Sequence, residues 1–460
     1  MSIKLESISI KLDAISRVLY SIAWYLATPL VMLHLWSRSR RQPEYRQHWR
    51  ERWAIGLSGQ SGQSGQSADS MQPPIWIHAV SVGETRAAQP LIDALRQHYP
   101  LARILLTCMT PTGRATGQQL FGDRVVQSYL PYDYPGAIDR FIAAWQPAIA
   151  IIMETELWPN LVARCDHHQI AVCLVNARLS PRSLRKGLRW SMLITPALRQ
   201  LRVIAAQTQA DAARLTQLGG RQIVVTGNIK FDITPAPDSV AMGKAWRLRL
   251  GRRSVVVAAS TRDGEERALL KAWRSAQPSA AGLAPLLLIV PRHPQRFDDV
   301  CSMAQAEGFV VQRRSVVLAG TSSDPAELAQ IDVLIGDSMG EMFAYYELAD
   351  VAVLGGSLLP YGGQNLIEPC AVGTPVIVGP HTFNFDEAAE QAILHGAAVR
   401  ADDACAAVTL ALQLLADPTK RAAMAHSALD FGATHRGATD KTMAAIEPLL
   451  VVALRQPPAA

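Results

Sequence analysis

Six cysteines are scattered singly through the 460 residues, at positions 108, 165, 173, 301, 370 and 405. Their spacing matches neither a zinc ligand pair nor a disulfide framework, so the chain suits a reducing compartment such as the cytosol. Neither GxGxxG nor GxxxxGKS/T follows a predicted strand, which leaves the dinucleotide-binding and P-loop classes without their signature. Charged residues make up only 18% of the chain and apolar residues 49%, which is typical of a globular protein.

The positive charge is concentrated at the start of the chain. Residues 1–52 hold nine basic and four acidic side chains, while the formal net charge of the whole chain is +6. The rest of the chain is therefore almost neutral, which argues against nucleic acid as a partner.

An uncharged run, Val18–Trp36, is followed directly by the arginine-rich stretch RSRRQPEYRQHWRERW. Its length is close to the ~20 residues that a helix needs to cross a bilayer, and we expect residues 1–57 to form a membrane anchor with a basic flank. Pro29 and His34 weaken the spanning interpretation, so a helix lying in the interface stays open, as does a buried core helix. The arginines predict that the downstream chain stays cytoplasmic and that residues 18–52 contact inner-membrane lipids.

The domain organisation follows from changes in composition. The repeat SGQSGQSGQSADS has nothing to bury, and we expect a flexible linker over 58–72. Two later stretches of the chain each alternate short apolar runs with amphipathic helices. This alternation is typical of α/β domains with parallel sheets. The pattern predicts a Rossmann-like domain over 73–232, a proline-containing linker over 233–240, and a second Rossmann-like domain over 241–425. Residues 426–460 are expected to form helices that could pack back on the first domain.

The predicted strands are short apolar runs that end in polar or small residues. In the first domain they are Ile75–Val80, Arg103–Met109, Val125–Leu130, Ala148–Met153, Ala171–Asn176, Val203–Ala206 and Ile223–Thr226. In the second domain they are Ser254–Ser260, Leu286–Pro291, Phe309–Gln312, Val333–Ile335, Val351–Leu354 and Pro375–Val378.

Polar segments follow several of these strands, at the edge where α/β sheets bind ligands. The most prominent is HAVSVGETRAAQPLIDAL over 78–95, in which Glu84 begins a helix with apolar residues at spacings of three and four. We interpret Gly83 as the residue that allows a tight turn from strand to helix. Glu84 is then either a candidate catalytic carboxylate or simply a first-turn acidic residue that suits the helix dipole.

Two further segments carry candidate binding residues. Ser180–Arg202 combines basic residues with an apolar stripe, and such a helix could touch a membrane or an anionic lipid, or simply cover the core. In GGSLLPYGGQNLIEP, two glycines precede Asn365, and Glu368 lies near the start of a helix. Glycine turns let the backbone approach a phosphate, and a carboxylate there can accept hydrogen bonds from ribose hydroxyls.

Taken in chain order, these motifs resemble the 3-deoxy-D-manno-octulosonic acid (Kdo) transferase family of Gram-negative bacteria, which has the GT-B architecture. The resemblance runs from the anchor to beyond residue 385. The matching segments are HAVSVGE (78–84), TPTGR (110–114), LPYD (130–133), METELWPN (153–160), NARLS (176–180), PRHPQRF (291–297), GDSMGE (336–341), GGS (355–357), GGQN (362–365) with Glu368, and GPHTFNF (379–385).

The resemblance implies two Rossmann-like domains facing across a cleft, and an inverting glycosyltransferase that moves Kdo from CMP-Kdo to lipid IVA, the lipid A precursor, in lipopolysaccharide core biosynthesis. It implies no cofactor and no bound metal. By motif, Glu84 resembles the general base that deprotonates the acceptor hydroxyl. The residues that resemble CMP contacts are Arg292, Met339, Gly340, Asn365 and Glu368. The acceptor-side candidates are Glu154, Glu156, Asn176 and Arg178.

Other functions on the same architecture stay open at this point. A heptosyltransferase would differ in its donor, and a nucleotide-sugar 2-epimerase would need neither a lipid acceptor nor an anchor. A non-catalytic membrane-bound binding module would not need the Glu84 carboxylate. The chain also departs from the family pattern, because it reads GGQN where many relatives carry GGHN.

Overall fold

The computed structural model describes residues 2–57, 72–232, 234–276, 284–318 and 325–455. The linker predicted over 58–72 therefore lies outside the described residues apart from Gln72, as does Ile233 of the second predicted linker. The chain divides into two compact units. Unit 1 is Met1–Asp232 with Arg436–Ala460, and unit 2 is Ile233–His435.

Unit 1 contains a parallel sheet of seven strands in its described residues, in the order β3-β2-β1-β4-β5-β6-β7. The strands are β1 (Ile75–His78), β2 (Ile104–Cys108), β3 (Val126–Tyr129), β4 (Ile149–Met153), β5 (Ala171–Ala177), β6 (Val203–Ala206) and β7 (Ile223–Val225). Successive side chains alternate between two cores: Trp76 packs on one face, and Ile75 and Ile77 pack on the other. Both faces are thus covered, as parallel sheets require.

The helices of unit 1 connect these strands. They are α1 (Ser2–Arg41), α2 (Val82–Ala87), α3 (Gln89–His98), α4 (Pro111–Phe121), α5 (Pro135–Trp145), α6 (Pro159–His167), α7 (Pro181–Arg189), α8 (Ser191–Gln200) and α9 (Gln209–Gln217), with 3₁₀ turns at Pro43–Arg46, Trp49–Trp53, Gly122–Arg124 and Ile229–Asp232. The strand order reverses at β1, which lies between β2 and β4. Because β1 and β4 are parallel neighbours, the loops after them leave the same edge of the sheet, where α/β proteins commonly bind ligands.

Unit 2 repeats this plan with its own parallel sheet, in the order β10-β11-β9-β8-β12-β13-β14. Its strands are β8 (Val255–Thr261), β9 (Leu286–Pro291), β10 (Val311–Arg313), β11 (Val333–Ile335), β12 (Val351–Leu354), β13 (Val376–Val378) and β14 (Ala398–Arg400). Its helices are α10 (Pro237–Leu250), α11 (Glu265–Ala276), α12 (Phe297–Ala306), α13 (Arg314–Val317), α14 (Pro325–Gln330), α15 (Met342–Leu348), α16 (Ile367–Ala371), α17 (Asp386–Leu394), α18 (Ala404–Ala416) and α19 (Pro418–Thr434), with a 3₁₀ turn at Pro294–Arg296.

The last helix, α20 (Ala438–Arg455), belongs to unit 1. It buries Ile446 and Leu450 in the core that also holds Ile75 and Ile77. Asp232 is the last residue of unit 1 before the chain enters unit 2, and its carboxylate accepts a hydrogen bond from the backbone N–H of Gly437 at 2.6 Å, just after the chain returns to unit 1. The boundary expected after residue 425 instead falls inside α19, which runs unbroken to Thr434 because no glycine or proline interrupts it before Gly432.

Two local expectations are corrected by the structure. The helix predicted after Gly83 is two helices, α2 and α3, because Pro90 lacks an N–H and cannot continue the first one. The strand β14 is missed by the sequence pattern, since it is only three residues long and ends in Arg400. The thirteen predicted strands are all present, most of them within one or two residues of their predicted ends.

Candidate active site

Glu84 lies in the first turn of α2, directly after the switch-point strand β1. Ser81 caps this helix, and its Oγ accepts a hydrogen bond from the Glu84 backbone N–H at 3.4 Å. The Glu84 Oε2 in turn accepts from the Val80 N–H at 2.6 Å. The role expected for Gly83 is wrong, because it lies inside α2 and does not have a left-handed φ. The turn depends on the Ser81 cap instead.

The Glu84 carboxyl is partly buried and holds its proton unusually well. Burial is the main cause, and the negative charges of Glu154 and Glu156 act in the same direction, so the pKa rises from 4.5 to about 7. The hydrogen bond from Val80 and the positive charge of Lys230 oppose this rise in pKa. A carboxylate with a pKa near neutral pH is well suited to act as a general base.

Glu154 follows β4 and is almost fully buried. Its Oε1 lies 2.8 Å from the Lys230 Nζ, and its Oε2 accepts from the Arg178 Nε at 3.1 Å. Its backbone adopts φ 58°, a left-handed conformation that is costly for glutamate and is common at functional sites. The two cations compensate the buried charge of Glu154, which would otherwise be strongly destabilising.

Asn176 stabilises the cluster of Glu154, Arg178 and Lys230, because it fixes the turn that carries Lys230. It lies at an irregularity in the pairing of β5 with β6 and adopts φ 52°, which asparagine tolerates. Its Oδ1 accepts from the Ile229 N–H at 3.0 Å, which fixes the 3₁₀ turn that carries Lys230. Because Asn176 is wholly buried, its side chain positions neighbours within the fold.

The structure therefore places the four acceptor-side candidates near one another, while their role stays a prediction. Glu156 accepts a hydrogen bond from Trp158 Nε1 at 2.8 Å and is close enough to Glu84 to influence its pKa. Lys230 is an addition that the sequence patterns did not reveal, since no motif surrounds it. Among the described residues, no group of three or more His, Cys, Asp or Glu side chains is arranged to hold a metal ion.

In unit 2, a glycine-rich loop follows β12 and rests on a buried carboxylate. Glu265, at the start of α11, is fully buried and accepts from the N–H groups of Gly356 at 2.7 Å and Leu358 at 3.0 Å. A Cβ on Gly355 would lie 2.5 Å from the Ser260 carbonyl oxygen, so only glycine fits there. Glu265 is the second residue that sequence reasoning missed, because its partners are backbone groups far along the chain.

Asn365 and Glu368 are joined at the end of this loop. The Asn365 Nδ2 donates to the Glu368 Oε1 at 3.2 Å, and its Oδ1 accepts from the Ile367 N–H at 3.1 Å. The helix predicted at Glu368 is present as α16, which has five residues. The loop reaches it through Gly362 and Gly363, which have φ values of 93° and 77° that favour glycine.

Arg292 is brought close to this pair by the fold. It follows β9, and its backbone N–H donates to the Thr261 carbonyl at 2.9 Å. The charges of Glu368 and Arg292 both influence the pKa of the buried Tyr346 hydroxyl. Burial and then the Glu368 carboxylate raise the pKa of Tyr346 well above its ordinary value, while Arg292 opposes this rise. A cation and a carboxylate therefore lie near one tyrosine at the carboxyl edge of the sheet.

Met339 and Gly340 lie in the loop that follows the carboxyl end of β11 and leads to α15. Met339 is half exposed, and Gly340 adopts φ 83° with open space where a Cβ would point. Ser338 steadies the loop, since its Oγ lies 2.6 Å from the Tyr345 hydroxyl. In the sheet order β11 neighbours β9, which places this loop beside the strand that leads to Arg292.

Comparison with known proteins gives the family. The family model described as 3-deoxy-D-manno-octulosonic-acid transferase (kdotransferase) matches residues 47–233. A 3-deoxy-D-manno-octulosonic acid transferase of Bordetella pertussis is 45% identical over 441 residues, covering 94% of this chain and 99% of that protein. One from Haemophilus influenzae is 36% identical over 440 residues, with the same coverage.

A solved structure extends the comparison to the fold. A putative UDP-N-acetylglucosamine 2-epimerase from Listeria monocytogenes aligns with a TM-score of 0.52, covering 85% of this chain and 99% of that chain. At 14% sequence identity this likeness shows the GT-B-like fold alone. The full-length relatives carry the functional assignment: the chain belongs to the 3-deoxy-D-manno-octulosonic acid transferase family and is a GT-B glycosyltransferase that transfers Kdo.

Proposed function

We propose that the protein transfers Kdo from CMP-Kdo to lipid IVA, with inversion at the anomeric carbon, as a step of lipopolysaccharide core biosynthesis. The observation that carries this proposal is the partly buried Glu84 carboxylate, whose pKa is raised to about 7 beside a cluster of acidic and basic side chains. An inverting transfer needs a single base that removes the proton from the acceptor hydroxyl.

In this mechanism Glu84 is the general base. It accepts the proton of the acceptor hydroxyl while that oxygen bonds to the anomeric carbon of Kdo. The bond between the anomeric carbon and the CMP phosphate oxygen breaks at the same time, and CMP leaves with the electron pair. Because Glu84 has a pKa near neutral pH, its ionised form is both available at pH 7–8 and basic enough to assist the attack.

We assign the cluster around Glu154 to the acceptor side. Glu154 is buried and pairs with both cations, and the buried Asn176 fixes the turn that carries Lys230. The Arg178 side chain, in contrast, is 51% exposed. Arg178 thus presents its guanidinium to solvent, where it would attract the phosphate groups of lipid IVA. Glu156, which is partly exposed, completes the acceptor side of the proposed site.

We assign the CMP group to unit 2. Arg292 would stabilise the charge that develops on the departing phosphate, which is the main electrostatic demand of the reaction. Glu368, oriented by Asn365, would accept hydrogen bonds from the ribose hydroxyls. Met339 and Gly340 would line the same pocket, because an open loop without a Cβ lets the nucleotide approach the backbone.

The first helix supports a proposal for the location of the protein. Within the described residues, Asp13–Arg40 is long and apolar enough to cross a membrane, and arginines follow it. We propose that the protein resides at the inner membrane with both α/β units on the cytoplasmic side, since the arginine-rich flank would be attracted to the anionic lipids of the cytoplasmic leaflet. The donor and the growing lipid acceptor would then be reached from the same side.

The direct test is acceptor-dependent CMP release by detergent-solubilised protein. CMP-Kdo is supplied with and without lipid IVA, ADP-heptose serves as the competing donor, and mass spectrometry identifies the lipid product. We expect CMP release only when lipid IVA is present, together with a lipid product heavier by one or more Kdo groups. Turnover of ADP-heptose without turnover of CMP-Kdo would overturn the proposal, and so would Kdo transfer only to acceptors other than lipid IVA.

A further inference from the structure

Helix α1 is attached to unit 1 by its polar side. The Ser21 Oγ donates to the Asn160 Oδ1 at 3.2 Å, and the Thr28 Oγ1 lies 2.9 Å from the Tyr134 hydroxyl. The ring of Trp24 packs against Tyr134 with the ring centroids 5.6 Å apart. These contacts span two turns of the helix and lie in the middle of its apolar run.

The opposite side of α1 is apolar and exposed. The side chains on this outer face recur at spacings of three and four residues, and every one of them is at least 48% exposed. They are Ile15, Leu19, Ile22, Leu26, Leu30 and Leu33. No Lys, Arg, Asp or Glu occurs between Arg17 and Arg38, so the face is uncharged over about 27 Å of helix. In a water-soluble protein, the apolar side of such a helix would pack against the protein and the polar side would face solvent.

Because α1 is attached to unit 1 along its polar side, it cannot cross the bilayer without carrying part of unit 1 into the membrane. Asn160 is almost fully buried in the first turn of α6, where its backbone N–H donates to the Asp133 carboxylate at 3.0 Å. If α1 crossed the bilayer while still attached, the segment Ser21–Thr28 would lie near the centre of the membrane. It would draw Asn160 and Asp133 into hydrocarbon, where polar and ionisable groups are strongly disfavoured.

We propose that α1 lies in the plane of the membrane interface, with its outer face inserted into an anionic bilayer and its polar face on unit 1. Charge supports a lipid surface as the occupant, because Arg38 and Arg40 follow the outer face directly. Helix α8 packs against α1, and the corner between α7 and α8 exposes Trp190 and Met192 near Arg189. Apolar and aromatic side chains bordered by arginines are typical of such a surface.

The geometry makes a clear prediction about topology. A helix in the interface leaves both chain ends on the cytoplasmic side, whereas a spanning helix places the N-terminus on the opposite side. We would fuse a protease-cleavable tag to either terminus of the full-length protein and treat sealed inverted inner-membrane vesicles with the protease. Cleavage of both tags is expected. Cleavage of the C-terminal tag alone would overturn the interfacial arrangement.

This inference rests on the proposed membrane location, and the two can fail separately. Protein that does not sediment with the membranes would overturn the location, whereas sedimenting protein with a protected N-terminal tag would overturn only the geometry. A second copy of the chain is the competing occupant. A lipid-free dimer that is disrupted by charges on the outer face would overturn the lipid assignment.

Substitutions on the outer face of α1 test its contact with the lipid surface. The double variant Leu26→Glu with Leu30→Glu places two charges on the outer face without touching the attached side. It should weaken binding to vesicles containing phosphatidylglycerol at least about tenfold in flotation assays. Leu248→Glu is the matched control, since Leu248 is 83% exposed on α10 of unit 2, and it should bind like the unchanged protein. Equal binding by all three proteins would contradict the proposal.

Discussion

Replacing Glu84 with glutamine should stabilise the folded protein at pH 8. Burial and neighbouring carboxylates raise the pKa of Glu84 from 4.5 to about 7, so the ionised side chain is less favourable in the folded state than in the unfolded one. Glutamine is uncharged and nearly isosteric, and its side-chain oxygen can still accept the hydrogen bond from the Val80 N–H.

The expected gain follows from the size of the pKa change. One pKa unit corresponds to 1.36 kcal/mol, so the rise from 4.5 to about 7 sets an upper bound of about 3 kcal/mol. Solvent reaches part of the side chain and screens its charge, and we expect roughly 1–2 kcal/mol. For a unit of this size that free energy raises the melting temperature by about 2–8 °C.

The gain should depend on pH with a definite sign. Between pH 4.5 and about 7 the folded state keeps a proton on Glu84 that the unfolded state has lost. Rising pH therefore destabilises the wild type through this window, and the advantage of the variant grows with it. At pH 5 the folded state keeps Glu84 protonated while the unfolded state is only partly ionised, so the advantage of the variant should be clearly smaller than at pH 8.

Differential scanning fluorimetry at pH 5 and pH 8 measures both effects. Glu447→Gln is the control, because Glu447 is an exposed carboxylate on α20 of the same unit. If Glu84→Gln melts at or below the wild-type temperature at pH 8, or if its advantage is equal at both pH values, the raised pKa of Glu84 does not destabilise the folded state.

Four further outcomes follow from the two sets of candidate residues. Acceptor-dependent kcat/KM should fall about tenfold per pH unit below about 7, since protonated Glu84 cannot act as a base. Glu154→Gln should move this fall in pH–rate profiles to lower pH, and a shift to higher pH would contradict the cluster geometry. Gly355→Ala should destabilise unit 2 by about 1–3 kcal/mol in urea unfolding, because the new Cβ meets backbone atoms; unchanged stability would refute this. Asn365→Ala removes the hydrogen bond to Glu368 and should weaken CMP binding about tenfold in calorimetry, whereas unchanged affinity would remove this pair from the donor site.

Much of the fold could be predicted because burial leaves a pattern in the sequence. Val351–Leu354 is buried at every position, and such continuous apolar runs mark the strands of a parallel sheet. Ala398–Arg400 was missed because a three-residue edge strand with partly exposed side chains has too few apolar positions to stand out. The break between α2 and α3 was overlooked because the apolar spacing continues across Pro90 even though the helix does not.

The candidate site was predictable only where residues lie in a contiguous motif. Glu84 could be found because it follows a strand within a recognisable segment. Lys230 could not, since its partner Glu154 lies on another loop and the two meet only when Asn176 anchors the intervening turn. Glu265 looks like an ordinary acidic residue at the start of a helix, and its hydrogen bonds to the glycine loop depend on the pairing of β8 with β12.

In the proposed mechanism, Glu84 takes the proton from the acceptor during Kdo transfer. The most direct test compares wild type and Glu84→Gln for the rate of lipid IVA-dependent CMP release from CMP-Kdo, with donor affinity measured separately by calorimetry. We predict a rate at least about 100-fold lower in the variant, the scale of general-base catalysis, with donor affinity essentially unchanged. Equal rates in the two proteins would contradict the account and remove Glu84 from the chemistry.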